Sequence, residues 1–165
     1  MDGLTQWLVD NMSNILSKEV IIFITSMIPF VELKGSLLAA SILEIPIYHA
    51  LPICFIANII PMPFALYILK RFLKWLENKP GSKWVLNKIN NWTEKKRKAL
   101  DKYAYWGIIL TVINPIPGTG GYSCALLATC LNMNYKKSLK AIIIGLFFSA
   151  ILMSSIYYGF IEIFF

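Results

Sequence analysis

The chain has 165 residues, of which 57% are hydrophobic and only 15% charged, and its mean hydropathy is +0.60. Soluble domains of this size have closer to ~45–50% apolar and ~25% charged residues, so the composition argues against an ordinary soluble domain and points to lipid. The formal net charge of +7 is concentrated in one central segment, and a single histidine and three scattered cysteines (Cys54, Cys124 and Cys130, without C-x-x-C spacing) argue against metal sites, cofactors and disulfide frameworks.

At the start, MDGLTQWLVDN lacks a basic region ahead of an apolar core, so no removable signal is expected. Leu4, Trp7, Leu8, Met12, Ile15 and Leu16 recur at helical spacing, which predicts an amphipathic helix over 1–17 that lies on the membrane or caps the bundle. Next come two apolar runs, Val20 to Val31 and Gly35 to Leu43, each shorter than the ~20 residues a spanning helix needs. Joined into one straight helix they would place Pro29, Glu32, Lys34 and Gly35 near the bilayer centre, at ~2.5–3.5 kcal/mol per charge. A re-entrant hairpin over 19–44, broken at its tip, fits better.

Ile45 to Leu69 is uncharged for 25 residues and is the first expected span (45–70), with kinks at its prolines Pro46, Pro52, Pro61 and Pro63. Between Lys70 and Lys102 lie eleven of the sixteen Lys and Arg residues, so 71–102 is expected outside the hydrocarbon. It holds a turn at Lys79 to Ser82 and a basic helix with Val85, Ile89, Trp92 and Ala99 on one face, ending in KKRK. The uncharged stretch Tyr103 to Tyr135 is interrupted by NPIPGTGG, Asn114 to Gly121, which predicts a second hairpin over 103–134. Ala141 to Ile161 is the second expected span (138–163), and Ala141, Gly145 and Ser149, then Ser155 and Gly159, recur at spacing four for close packing, internal or in a homodimer.

The expected fold is therefore an all-α integral membrane protein, an inverted repeat of two units, each a re-entrant hairpin followed by a transmembrane helix. LLAAS at Leu37 to Ser41 matches LLATC at Leu126 to Cys130, and a hairpin returns to its own side whereas one span crosses, so the second unit enters from the opposite face. Fourteen of the sixteen basic residues then share one side, which the positive-inside rule makes cytoplasmic, with both termini outside the cell membrane.

Each hairpin tip opens into a short helix whose first amides lack partners. Pro117, Gly118, Thr119, Gly120 and Gly121 can turn several amides toward one point, with Thr119 and Ser123 hydroxyls nearby, which would suit phosphate or carboxylate; equally, the glycines serve a tight turn. Lys34 is the expected anion contact and Glu32 the group that binds a proton or sodium, since intramembrane charges usually mark a pathway. Gly35, Ser36, Asn114 and Pro115 complete the candidate site, and Asn58 is a polar candidate or an interhelical bonding partner. His49 is expected near the outer interface without a role.

PFVELKGSLLAASILEIP, KYAYWG and NPIPGTGGYSCALLAT together resemble the small multi-drug export protein family over most of the chain. Glu32, Lys34, Gly35, Pro115, Pro117, Gly118, Thr119 and Gly120 fall on its two motifs; Lys34 replaces a more usual Arg, and Leu38 stands where Pro is common. The family in turn looks like a distant relative of DedA-type proteins, which implies paired hairpins and movement of anionic lipid carriers such as undecaprenyl phosphate. The resulting expectation is an ion-coupled transporter of an anionic lipid or small molecule, with membrane lipids as partners and no nucleic acid. Export of cationic drugs is the alternative, and a membrane scaffold acting through the basic segment is a second. An enzyme is disfavoured because one histidine leaves no evident acid-base set.

Overall fold

The structure, a computed structural model, describes residues 17–77, 97–116 and 118–164. The predicted helix over 1–17, the basic stripe at Val85 to Trp92 and Pro117 lie outside the described residues, apart from Ser17. Among the described residues every regular element is helical: α1 (Lys18–Met27), α2 (Glu32–Ile42), α3 (Ile47–Ile59), α4 (Met62–Glu77), α5 (Arg97–Ile113), α6 (Gly121–Cys130) and α7 (Tyr135–Phe164).

Proline chemistry sets several of these bounds. Pro29 disfavours the helical region for the residue before it, and Ile28 is extended at φ −74, ψ 124, so α1 stops at Met27. The first expected span is likewise divided: α3 ends at Ile59, a turn at Ile60 and Pro61 follows, and α4 resumes at Met62. Pro46 precedes α3, while Pro52 sits inside it.

Helix α4 continues past the apolar run to Glu77, and α5 begins at Arg97, both inside the segment set apart by its charge. Charge decides where a segment leaves lipid, whereas Lys, Arg, Leu and Glu are all good helix formers and let the helix run on.

Both α2 and α6 end in the same motif. Glu44 adopts φ +56, Ile45 N–H donates to Ala40 O at 2.9 Å and Glu44 N–H to Ser41 O at 3.1 Å. Asn132 adopts φ +51, with Met133 N–H to Ala128 O and Asn132 N–H to Thr129 O, both at 3.0 Å. A left-handed residue followed by this pair of bonds is a Schellman cap, which satisfies carbonyls that the helix itself leaves open.

Helix α1 packs on α2 and α3, α5 packs on α6 and α7, and the two groups meet where α2 lies against α7 and α6 against α4. Ile21, Leu37, Leu66, Ile142 and Leu146 are fully buried between them. Large apolar side chains such as Phe64, Ile68, Leu110, Phe148 and Ile151 are exposed. Two stretches, Ile47–Trp75 and Tyr135–Gly159, are long and apolar enough to cross a membrane. α1, α2 and α6, with ten, eleven and ten residues, are only about 15–17 Å long at ~1.5 Å rise per residue.

Candidate functional site

Val31 and Glu32 lie between Pro29 and the first full turn of α2, where Phe30 (φ 82) and Glu32 (φ 50) both take positive φ. Left-handed backbone is costly for side chains of this kind and persists where the surroundings enforce it. The enforcing contact is visible. The Glu32 carboxylate reaches into α6, where Oε2 accepts the Gly121 N–H at 3.0 Å and Oε1 the Tyr122 N–H at 3.2 Å. These are first-turn amides without an intrahelical acceptor, at the positive end of the helix dipole, so a buried carboxylate is well placed there. Glu32 thus caps a helix 89 residues further along the chain.

Lys34 makes the reciprocal crossing. Its ammonium donates into a group of oxygens in the turn before α6: Asn114 O at 2.5 Å, Thr119 Oγ1 at 3.0 Å, Ile116 O at 3.2 Å and Thr119 O at 3.3 Å. Three ammonium protons serve four acceptors, so at least one is shared. Thr119 Oγ1 also lies 2.7 Å from Ile116 O and 3.1 Å from Asn114 O, and Asn114 Oδ1 accepts the Ile116 N–H at 3.1 Å. Glu32 and Lys34 are both buried, yet each has its own partners at or just before the start of α6, in keeping with their departure from different faces of α2.

The turn is built to admit these side chains. Gly118 has φ +84, a conformation that favours glycine. Gly120 touches the carboxylate so closely that a Cβ there would lie 1.3 Å from Glu32 Oε2.

Of the predicted site residues, Glu32, Lys34, Asn114, Thr119, Gly120 and Gly121 meet in this interlock. Gly35 is buried in α2, and Ser36 Oγ bonds Ser26 Oγ at 2.6 Å, joining α1 to α2 instead of reaching the interlock. Pro115 and Gly118 are exposed at the turn, and Ser123 is exposed on α6 outside the network. Asn58 donates from Nδ2 to Ser26 O at 2.8 Å, the interhelical role, while its buried Oδ1 has no partner among the described residues. His49 is exposed beside Tyr48.

The sequence reading missed Tyr122. Its backbone N–H holds Glu32, and its hydroxyl donates to Met27 O at 2.6 Å, satisfying a carbonyl at the end of α1. A Tyr directly after a Gly-Gly helix start was the available signal. Lys18 and Lys70 were likewise unassigned, and they donate to Leu43 O at 2.8 Å and Met133 O at 3.0 Å, at the ends of α2 and α6. Among the described residues there is no cluster of three or more His, Cys, Asp or Glu that could hold a metal.

The family model "Putative small multi-drug export protein" matches residues 32–152, from Glu32 itself through both tips and most of the last helix. The chain belongs to this family. The family and the two apolar stretches make it a membrane protein of the small multi-drug export type. No curated protein and no solved structure matches the chain.

Proposed function

We propose that this export-family protein is a secondary transporter whose two hairpins are re-entrant and inverted relative to one another, and whose interlocked tips are its gate. Support for the inverted repeat comes from the shared caps at Glu44 and Asn132 and from the pairing of α2 with α7 and α6 with α4. The shortness of α1, α2 and α6 relative to a ~30 Å hydrocarbon core favours re-entrance. By charge, the side carrying Lys70, Lys136, Lys137 and Lys140 is cytoplasmic.

The observation that carries the substrate reading is the carboxylate of Glu32 on the α6 amides. A site that holds the chain's own carboxylate can hold the phosphate or carboxylate of an anionic lipid or small molecule. In this cycle the substrate head displaces Glu32, the interlock opens, and return of Glu32 expels the head. Proton or sodium binding to the displaced carboxylate supplies the coupling.

A second reading rests on the oxygens around Lys34. An ammonium-bearing drug could replace Lys34 there, with Glu32 as counter-charge, and this agrees with the family name. Proteoliposome flux separates the two when measured with a polyprenyl phosphate and with a lipophilic quaternary ammonium dye. The anionic reading expects phosphate-lipid flux that Glu32→Gln and Lys34→Ala both abolish; dye flux alone favours the cationic one. Wild-type rates for both probes in both variants would remove the gate altogether.

A further inference from the structure

At the far end of α6 from the interlock, about 15 Å along the helix, α5, the Asn132–Asn134 link and the first turn of α7 form a half-open cavity of about 410 Å³. Its described lining includes Tyr105, Asn132, Met133, Asn134 and Lys137, and none of the described lining residues is acidic. We infer that this cavity is a binding site for a phosphate-bearing anion, either the headgroup of an anionic phospholipid or free phosphate.

Three observations converge on a negative ligand. First, the lining offers donors without internal acceptors. The exposed Lys137, Asn132 and Asn134 side chains have no hydrogen-bond acceptor among the described residues, and Asn134 uses its Oδ1 on the Lys136 N–H at 3.0 Å. The φ of +51 at Asn132 fixes that side chain at the rim, because the Schellman cap holds its backbone on both sides.

Second, the negative pole that α6 would present here is already answered. Met133 O accepts the Lys70 ammonium, which also lies 5.9 Å from the centroid of the Tyr135 ring. Third, α7 begins with Lys136 and Lys137 and has Lys140 in its second turn, with no acid in its first turn. Lysines normally sit at the opposite end of a helix, where the dipole favours cations. Placing them at the amino end leaves surplus positive potential beside a polar cavity, and a phosphate would relieve it.

The site is separate from the interlock, so the two stand or fall independently. It is tested on the full chain by two binding measurements. In phosphatidylcholine nanodiscs, inorganic phosphate is titrated calorimetrically; in detergent, native mass spectrometry compares retained phosphatidylglycerol with phosphatidylcholine. We expect binding in at least one arm, and the arm that responds identifies the source. Lys137→Ala and Asn132→Asp, the latter keeping a residue type that tolerates positive φ, should each weaken binding about tenfold. Lys140→Ala, outside the lining, should change it less than twofold. No binding in either arm would overturn the inference. So would binding that Lys137→Ala weakens no more than Lys140→Ala does, since that is diffuse surface attraction.

Discussion

Gly120 and Glu32 compete for one volume: a Cβ on Gly120 would come 1.3 Å from Glu32 Oε2 and 2.4 Å from its Cδ. Gly120→Ala must therefore push the carboxylate off the Gly121 and Tyr122 amides. Hydrogen bonds to charged groups contribute about 1.5–3 kcal/mol each, so the variant should lose roughly 3 kcal/mol of unfolding free energy in a denaturant titration in micelles. Gly118→Ala meets no atom within 4 Å and should lose only about 1–2 kcal/mol, from left-handed backbone alone.

Glu32→Gln keeps the side-chain volume and removes the charge. One amide oxygen remains to accept, while the NH2 faces a donor, so one of the two α6 amides loses its partner. Hydrogen exchange at Gly121 and Tyr122 should accelerate by about tenfold or more, the factor that corresponds to ~1.4 kcal/mol. Unchanged protection at both amides would mean the carboxylate is not what holds α6.

Lys34→Met preserves an unbranched apolar stem but strands the oxygens of Asn114, Ile116 and Thr119 without their shared donor. Leaving a buried acceptor without its charged donor costs about 1–3 kcal/mol or more. We expect a loss in that range, with Thr119, whose N–H makes a 3.3 Å turn bond to Ile116 O, exchanging faster. In Glu32→Gln/Lys34→Met the loss should fall short of the sum, because the tips are already apart after either change.

The α5–α7 contact depends on Gly145, where a Cβ would sit 2.7 Å from Val112 Cβ and 3.2 Å from Ile109 O. Overpacking of this kind costs about 1–3 kcal/mol, so Gly145→Ala should unfold at lower denaturant. Val112→Gly, which deletes the clashing atom, should recover part of the loss in a double-mutant cycle. Val112→Ala should recover less, since it keeps that Cβ.

Re-entrance makes a topological prediction. In a background with Cys54, Cys124 and Cys130 replaced, cysteines at Lys18 and Glu44 should react with an impermeant thiol reagent from one face of the membrane. Cysteines at Tyr103 and Asn134 should react from the other. Labelling of Lys18→Cys and Glu44→Cys from opposite faces would falsify the gate proposal along with the hairpin.

Much of the element plan was legible along the chain. Two short helices, α1 and α2, occupy Lys18 to Ile42, and the break around Asn114 to Gly120 lies between the end of α5 at Ile113 and the start of α6 at Gly121. Pro29 and the Pro-Gly run act through their own backbone, so their effects are local. Charge marks where the chain leaves its apolar run, while the helix itself runs on to Glu77, since six of the eight residues of KRFLKWLE, Lys70 to Glu77, are good helix formers.

The candidate site was legible as a set of residues but not as a set of partners. Glu32 and Lys34 stand out as charges in an apolar run, and Thr119 and Gly120 as part of a Pro- and Gly-rich break in another. Nothing local connects them. Glu32 and Gly121 are 89 positions apart, and the carboxylate finds its amides only when α2 and α6 are brought together by packing on α7 and α4. Composition and backbone chemistry alone determined that this chain enters lipid and where it turns; the assembled bundle decided that the acid and the base of one tip are held by the other, because hydrogen bonding depends on distances that sequence separation does not contain.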